Sequence, residues 1–156
     1  MAYSFREDCA PVVYTRLFGT QNEQEFVEYH ERLRVAMVET RSQGRRTVTI
    51  LDLTAAAPLT ARQRAMQIEW SRQTDALFRE VSLGIVFVVA SAVVRGILTA
   101  LFWIRRVPVP HAIVQDLDEA VSWAIARCRE TGEAVPARLE LEGAAVFRGD
   151  RVEPAR

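Results

Sequence analysis

The chain has 156 residues, 49% hydrophobic and 26% charged, with 20 basic and 20 acidic side chains that cancel. That length supports one domain with a real core and is too short for two. A net charge of zero gives no field to draw the protein to nucleic acid or an anionic membrane. All the basic residues are arginine, and without lysine, Schiff-base chemistry and a phosphate-loop lysine are excluded.

Cys9 and Cys128 lie far apart in sequence, with no histidine or cysteine at ligand spacing. Two buried thiols are expected, with neither a disulfide nor a zinc site. The start, MAYSFREDCAPV, shows neither the basic nor the apolar region of a secretory signal, so a cytoplasmic location is expected.

In chain order, YSFRE (Tyr3 to Glu7) has room to form an antiparallel edge strand, and Val12 to Phe18 reads as a strand ending at Gly19. Two overlapping capping boxes follow, Thr20 with Glu23 and Asn22 with Glu25. Phe26, Tyr29, Leu33 and Met37 then recur at helical spacing until Gly44. The next strand spans Thr47 to Leu53. A small-residue loop leads from it to a helix opening at Thr60, with Gln63 at the reciprocal capping position and Met66, Trp70 and Leu77 on one stripe.

The segment LGIVFVVASAVVRGILTALFWI, Leu83 to Ile104, is long enough to cross a bilayer and carries one charge, Arg95. Arginine near mid-membrane costs about 2.5–3.5 kcal/mol on insertion scales, and the texture changes from β-branched to helical at Ser91. A buried strand (Leu83 to Ala90) and then a helix (Ser91 to Ile104) is expected, with no membrane insertion. The prolines of RRVPVP make a stiff connector to a short strand, His111 to Gln115. Asp116 and Glu119 cap a last helix that turns Leu117, Val121, Ala124 and Cys128 inward and stops at Gly132. The stretch 133–156 is Pro-, Glu- and Ala-rich and reads as a tail, partly disordered or docked, outside the core of a domain at 1–132. Four strand–helix repeats give a single α/β domain with a mostly parallel sheet.

ILDLTAAAPLT, SAVVRGILTALFW and LDEAVSWAI resemble the STAS-like superfamily of anti-sigma-factor antagonists and its bacterial lipid-transfer-like relatives, over roughly Val12 to Arg129. The resemblance implies a small βα module, usually without catalytic activity, that binds partner proteins or occasionally a small ligand. In the regulatory branch an Asp-Ser pair opens the helix after the LDL strand, and its serine is phosphorylated. Here the matching residues are Leu59, Thr60, Ala61 and Arg62, so no such switch is expected at Thr60.

In open parallel sheets ligands gather at the carboxyl ends of the strands. That edge offers Asp52, Thr54, Thr60, Ser91, Arg95 and Asp116 as candidate binding residues. Three of them also have a plain structural role: Asp52 capping its own loop or pairing with arginine, Thr60 capping its helix, and Arg95 pairing with Asp52 or Asp116. Otherwise Arg95 aims at an anionic group on a ligand or partner. Val94, Leu98, Leu101, Phe102 and Trp103 lie on a helix apolar nearly all round. They are the candidate contact surface for a homodimer or a partner masked by the tail. No catalytic residue, metal ligand or cofactor motif is found, and His30 and His111 stand isolated. The leading reading is a non-catalytic protein-interaction module. A module that binds a lipid or small ligand in an apolar pocket, with Arg95 as anion anchor, comes second, and an enzyme last.

Overall fold

Side chains alternate along a strand, and a strand in the middle of a sheet must find cover for both faces. The strand Thr47–Ala56 (β3) buries Val48, Ile50 and Asp52 on one side and turns Thr49, Leu51 and Leu53, only partly covered, to the other. It lies between Val12–Gly19 (β2) and Ser82–Val88 (β4), parallel to both, with Ile50 opposite Tyr14 and Val86. Ala2–Cys9 (β1) adds an antiparallel edge beside β2, and His111–Val114 (β5) a parallel edge beside β4. The computed structural model describes residues 2–149 and gives the sheet order β1-β2-β3-β4-β5.

This order decides where the helices go. Crossovers between parallel strands are right-handed, and these strands are added one after another in the same direction, so every crossover helix falls on one face. Glu23–Ser42 (α1), Ala61–Val81 (α2) and Ala92–Ile104 (α3) accordingly share the face bearing Thr49 and Leu51. Leu117–Glu130 (α4) follows the last strand and covers the opposite face, helped by the short helices Ala137–Glu142 (α5) and Ala145–Arg148 (α6).

The α4 face is the tight one. Val12, Tyr14, Val48, Ile50, Val86 and Val88 meet Ala120, Val121, Ala124 and Cys128 in one buried cluster. Gly84 permits the close approach, since a Cβ there would lie 2.8 Å from the Trp123 ring and 2.9 Å from the Pro110 carbonyl.

The expected single α/β domain is the observed one, and the antiparallel edge strand is present. Asn22, not Thr20, caps α1, with its box to Glu25 complete. Thr60 and Gln63 exchange reciprocal bonds of 3.1 and 3.0 Å at the start of α2. Leu83 to Ile104 divides into strand and helix, and among the described residues no helix is long and apolar enough to cross a membrane.

Two expectations fail. Residues after Gly132 were expected outside the core, yet Leu139, Ala144, Val146 and Phe147 are buried within it. Phe147 stacks on Tyr14 at 4.6 Å, and Arg6 donates to the Val146 carbonyl at 2.8 Å. The apolar residues there are few, but each fills a gap beside α4, so sparse patterning did not mean exposure. Residues 150–156 of the expected tail lie outside the described residues. On α2 the inward stripe is Gln63, Gln67, Trp70, Thr74, Phe78 and Val81; Trp70 is where it was expected, and Met66 and Leu77 are not on the stripe. Half of it is polar and hydrogen-bonded within the fold, which hides its phase from a hydrophobic count.

Two stability measurements follow. Phe147→Ala is expected to cost about 3–5 kcal/mol in denaturant unfolding, the range for an aromatic removed from a packed core; a tail lying on the surface would lose under about 0.5 kcal/mol. Thr60→Ala is expected to cost about 1 kcal/mol by the same assay through loss of the cap.

Candidate functional site

The face under α1, α2 and α3 is hollow. Here α3 packs on the sheet less extensively than α4 does on the other side. A partly open cavity of about 280 Å³ lies between them. Its floor is Thr15, Thr49, Leu51, Leu53, Ile85 and Phe87. Phe26, Tyr29, Leu33 and Met37 wall it from α1, and Trp70, Thr74 and Phe78 from α2. Val94, Ile97, Leu98, Leu101 and Phe102 roof it from α3. At the carboxyl ends of the strands it reaches Ala57, Pro58 and Leu59. At the opposite end, where α3 turns back toward β5, it reaches Arg105, Arg106, Val107 and Pro108.

The polar groups in this lining are few. The Tyr29 hydroxyl sits 3.4 Å from Thr15 Oγ1, and burial pushes its pKa up to about 12. His30 is buried, with Nδ1 2.7 Å from the Phe26 carbonyl, Nε2 2.6 Å from the Gln67 amide, and its ring edge-on to Trp70 at 4.7 Å. Burial pulls its pKa below 6.5, with the bonds to Phe26 and Gln67 opposing. In the neutral ring Nδ1 carries the proton and donates to the Phe26 carbonyl, while the Gln67 amide donates from Nε2 to Ser71 Oγ at 3.1 Å. Near the arginine end, Asp75 pairs with Arg79 at 3.2 Å and with Arg105 at 3.3 Å.

The residues singled out in the sequence take other positions. Asp52 is buried on the α4 face. It accepts from the Tyr14 hydroxyl at 2.8 Å, from the Thr54 N–H at 2.9 Å and from the Thr54 hydroxyl at 2.6 Å, with Arg16 Nε 3.4 Å away. That is the loop-capping, arginine-paired aspartate, and Thr54 is its partner. Thr60, Ser91 and Asp116 cap α2, α3 and α4 through the N–H groups of Gln63, Val94 and Glu119. Arg95 is absent from the cavity lining, and the expected ion pair with Asp52 or Asp116 is not made: Asp52 has Arg16, and Asp116 is spent on its helix.

Of the five candidate interface residues, Val94, Leu98, Leu101 and Phe102 face the cavity, Phe102 packing on Phe87 at 5.1 Å. Only Trp103 points outward, 86% exposed, joined by Ile104 at 69% and Val93 at 66%. Sequence reasoning missed Arg105 and Arg106, taken for mere connector, and the His30–Gln67 pair. The signal for the latter was the helical spacing of Gln63, Gln67 and Thr74, a polar stripe where an apolar one was sought.

Both cysteines are buried, and burial raises both thiols above their ordinary pKa, which removes the thiolate a nucleophile needs. Among the described residues no three His, Cys, Asp or Glu side chains converge as metal ligands would.

The buried His30 makes stability depend on pH. The unfolded chain takes up the proton near pH 6.5, while the folded chain resists until a lower pH. His30 therefore leaves stability unchanged above pH 6.5 and erodes it as pH falls from 6.5 to its lowered folded value. Urea midpoints measured between pH 7.5 and pH 5 are expected to fall more steeply for the wild type than for His30→Gln; equal slopes would contradict a buried neutral ring.

No family model matches the chain, and no curated protein matches it in sequence. Among solved structures, a protein of the DUF3478 family from Shewanella loihica, described as uncharacterised and as having a SpoIIAA-like fold, superposes with a TM-score of 0.58 at 10% identity. The match covers 79% of this chain and 92% of that one. The chain thus has the SpoIIAA-like fold, which is that of the STAS-like superfamily its sequence resembles.

Proposed function

We propose that the protein is a non-catalytic binding module of STAS-like fold that holds an apolar small molecule or lipid between its sheet and helices α1–α3. The observation that carries this reading is the apolar cavity of about 280 Å³. The sheet face under α4 is filled by one buried cluster of side chains, and an occupant accounts for the gap on the other face. The volume is also nearly twice the ~150 Å³ of an engineered core cavity that binds benzene.

The uncharged fluorophore N-phenyl-1-naphthylamine tests this. It is expected to brighten and shift to the blue on adding protein. Thr49→Phe, at mid-floor on β3, is expected to weaken the binding at least about tenfold by filling the space, with the circular dichroism unchanged. No binding to the wild type, or equal binding to the variant, would contradict the reading.

The exposed apolar end of α3 supports a second reading, association with a protein partner or a second copy. Burying one such side chain contributes about 1.5–3 kcal/mol. Trp103→Arg is expected to leave unfolding within about 0.5 kcal/mol of wild type, as at other exposed positions. In sedimentation at high concentration, a wild-type dimer dissociated by this variant is the expected result, and a wild-type monomer the contrary one.

A further inference from the structure

We infer that the cavity takes a single-chain carboxylate amphiphile, a long-chain fatty acid, with its head group on Arg105 and Arg106 and its tail along β3 under α3. This rests on the reading of the cavity as a ligand site, and names its ligand class. The lining carries two cationic side chains, and both stand at the same end. The acidic residues on it are Asp75, beside Arg105, and Glu7, exposed on β1 at the far edge of the sheet.

Arg105 has donating capacity left over. Its Nε is buried without a hydrogen-bond partner. Its one ion pair among the described residues, with Asp75 at 3.3 Å, is long, and Asp75 is shared with Arg79. A guanidinium has five N–H donors in a fork that matches a carboxylate, so the group best suited to complete this one is a second carboxylate. Arg106, next in sequence and exposed, makes no ion pair among the described residues. With Arg105 and Arg106 against Asp75, this mouth is net positive, and it disfavours a cationic head.

The dimensions select one chain. Two acyl chains need more room than about 280 Å³, which is near the lower bound of ligand pockets. The ten residues of β3 span about 30 Å at ~3.3 Å per residue, and one acyl chain spans roughly 15 Å, half the ~30 Å hydrocarbon core of a bilayer. A chain anchored at Arg105 therefore lies over Thr49 and Leu51, with space left toward Leu59.

Displacement of N-phenyl-1-naphthylamine from delipidated protein tests the assignment with four ligands of equal chain length. Dodecanoate is expected to displace it at a concentration at least about tenfold below that of dodecanol, the worth of one charge-assisted contact. Dodecyltrimethylammonium is expected to be no better than dodecanol. Arg105→Gln is expected to bring dodecanoate to the level of dodecanol and leave dodecanol itself unchanged. Asp75→Asn, which releases Arg105, is expected to tighten dodecanoate alone, and it decides the matter should Arg105→Gln unfold. Equal displacement by dodecanoate and dodecanol, or equal weakening of both by Arg105→Gln, would overturn the head-group assignment. Dodecyl phosphate more than tenfold better than dodecanoate would overturn the carboxylate in favour of a phosphate head. If the fluorophore itself does not bind, the ligand site fails and this assignment fails with it, a result distinct from binding without head-group preference.

Discussion

Right-handed crossovers between strands laid down side by side put every connecting helix on the same face of a sheet. In this chain that one constraint organises the molecule. Three helices of 20, 21 and 13 residues crowd one face, and the other is left for whatever follows β5. The face served by the end of the chain is closed by α4 together with Leu139, Val146 and Phe147. The crowded face stays hollow: α1 packs on α2, and α3 packs on the sheet less extensively than α4 does. Tightness and vacancy lie back to back across β3: Ile50 has no exposure, and its neighbours Thr49 and Leu51 are only partly covered.

The same alternation explains what was legible in the sequence. Strand and helix existence followed from texture and caps, which are local: Asn22 with Glu25 and Thr60 with Gln63 form the boxes their spacing implies. The side of α2 that turns inward was not legible, because Gln63 and Thr74 are buried by bonding to the backbone, Gln63 Nε2 to the Gln21 carbonyl at 2.7 Å and Thr74 Oγ1 to Trp70 O at 2.9 Å. The tail failed for a related reason. Phe147 is one aromatic in a polar stretch, and its place against Tyr14 is a tertiary fact that no local pattern carries.

The candidate site shows where pattern reasoning moves too far toward the familiar edge. Asp52 ends an apolar strand at the end where ligands usually sit, yet Tyr14, Arg16 and Thr54 occupy its oxygens. Arg95 drew attention as the single charge in a long apolar run, but a side chain on a helix two turns long or more can point away from the sheet as easily as toward it. Arg105 and Arg106, in a connector rich in proline, are carried to the cavity mouth by the end of α3. The apolar residues of α3 were expected to form a contact surface for a second copy or a partner. Most of them face inward to a cavity, and the outward remainder is Val93, Trp103 and Ile104.

The claim on which the functional account turns is that the space between β3 and α3 is occupied by a ligand and not closed by rearrangement of α3. Crystallography of the protein grown with a terminally brominated fatty acid locates the occupant through the anomalous signal of bromine. The account predicts bromine density between the floor at Leu51 and the roof at Val94 and Leu98, with continuous chain density leading back to Arg105. A map with α3 collapsed onto the sheet, its side chains filling the space over Thr49 and no bromine between them, would contradict it.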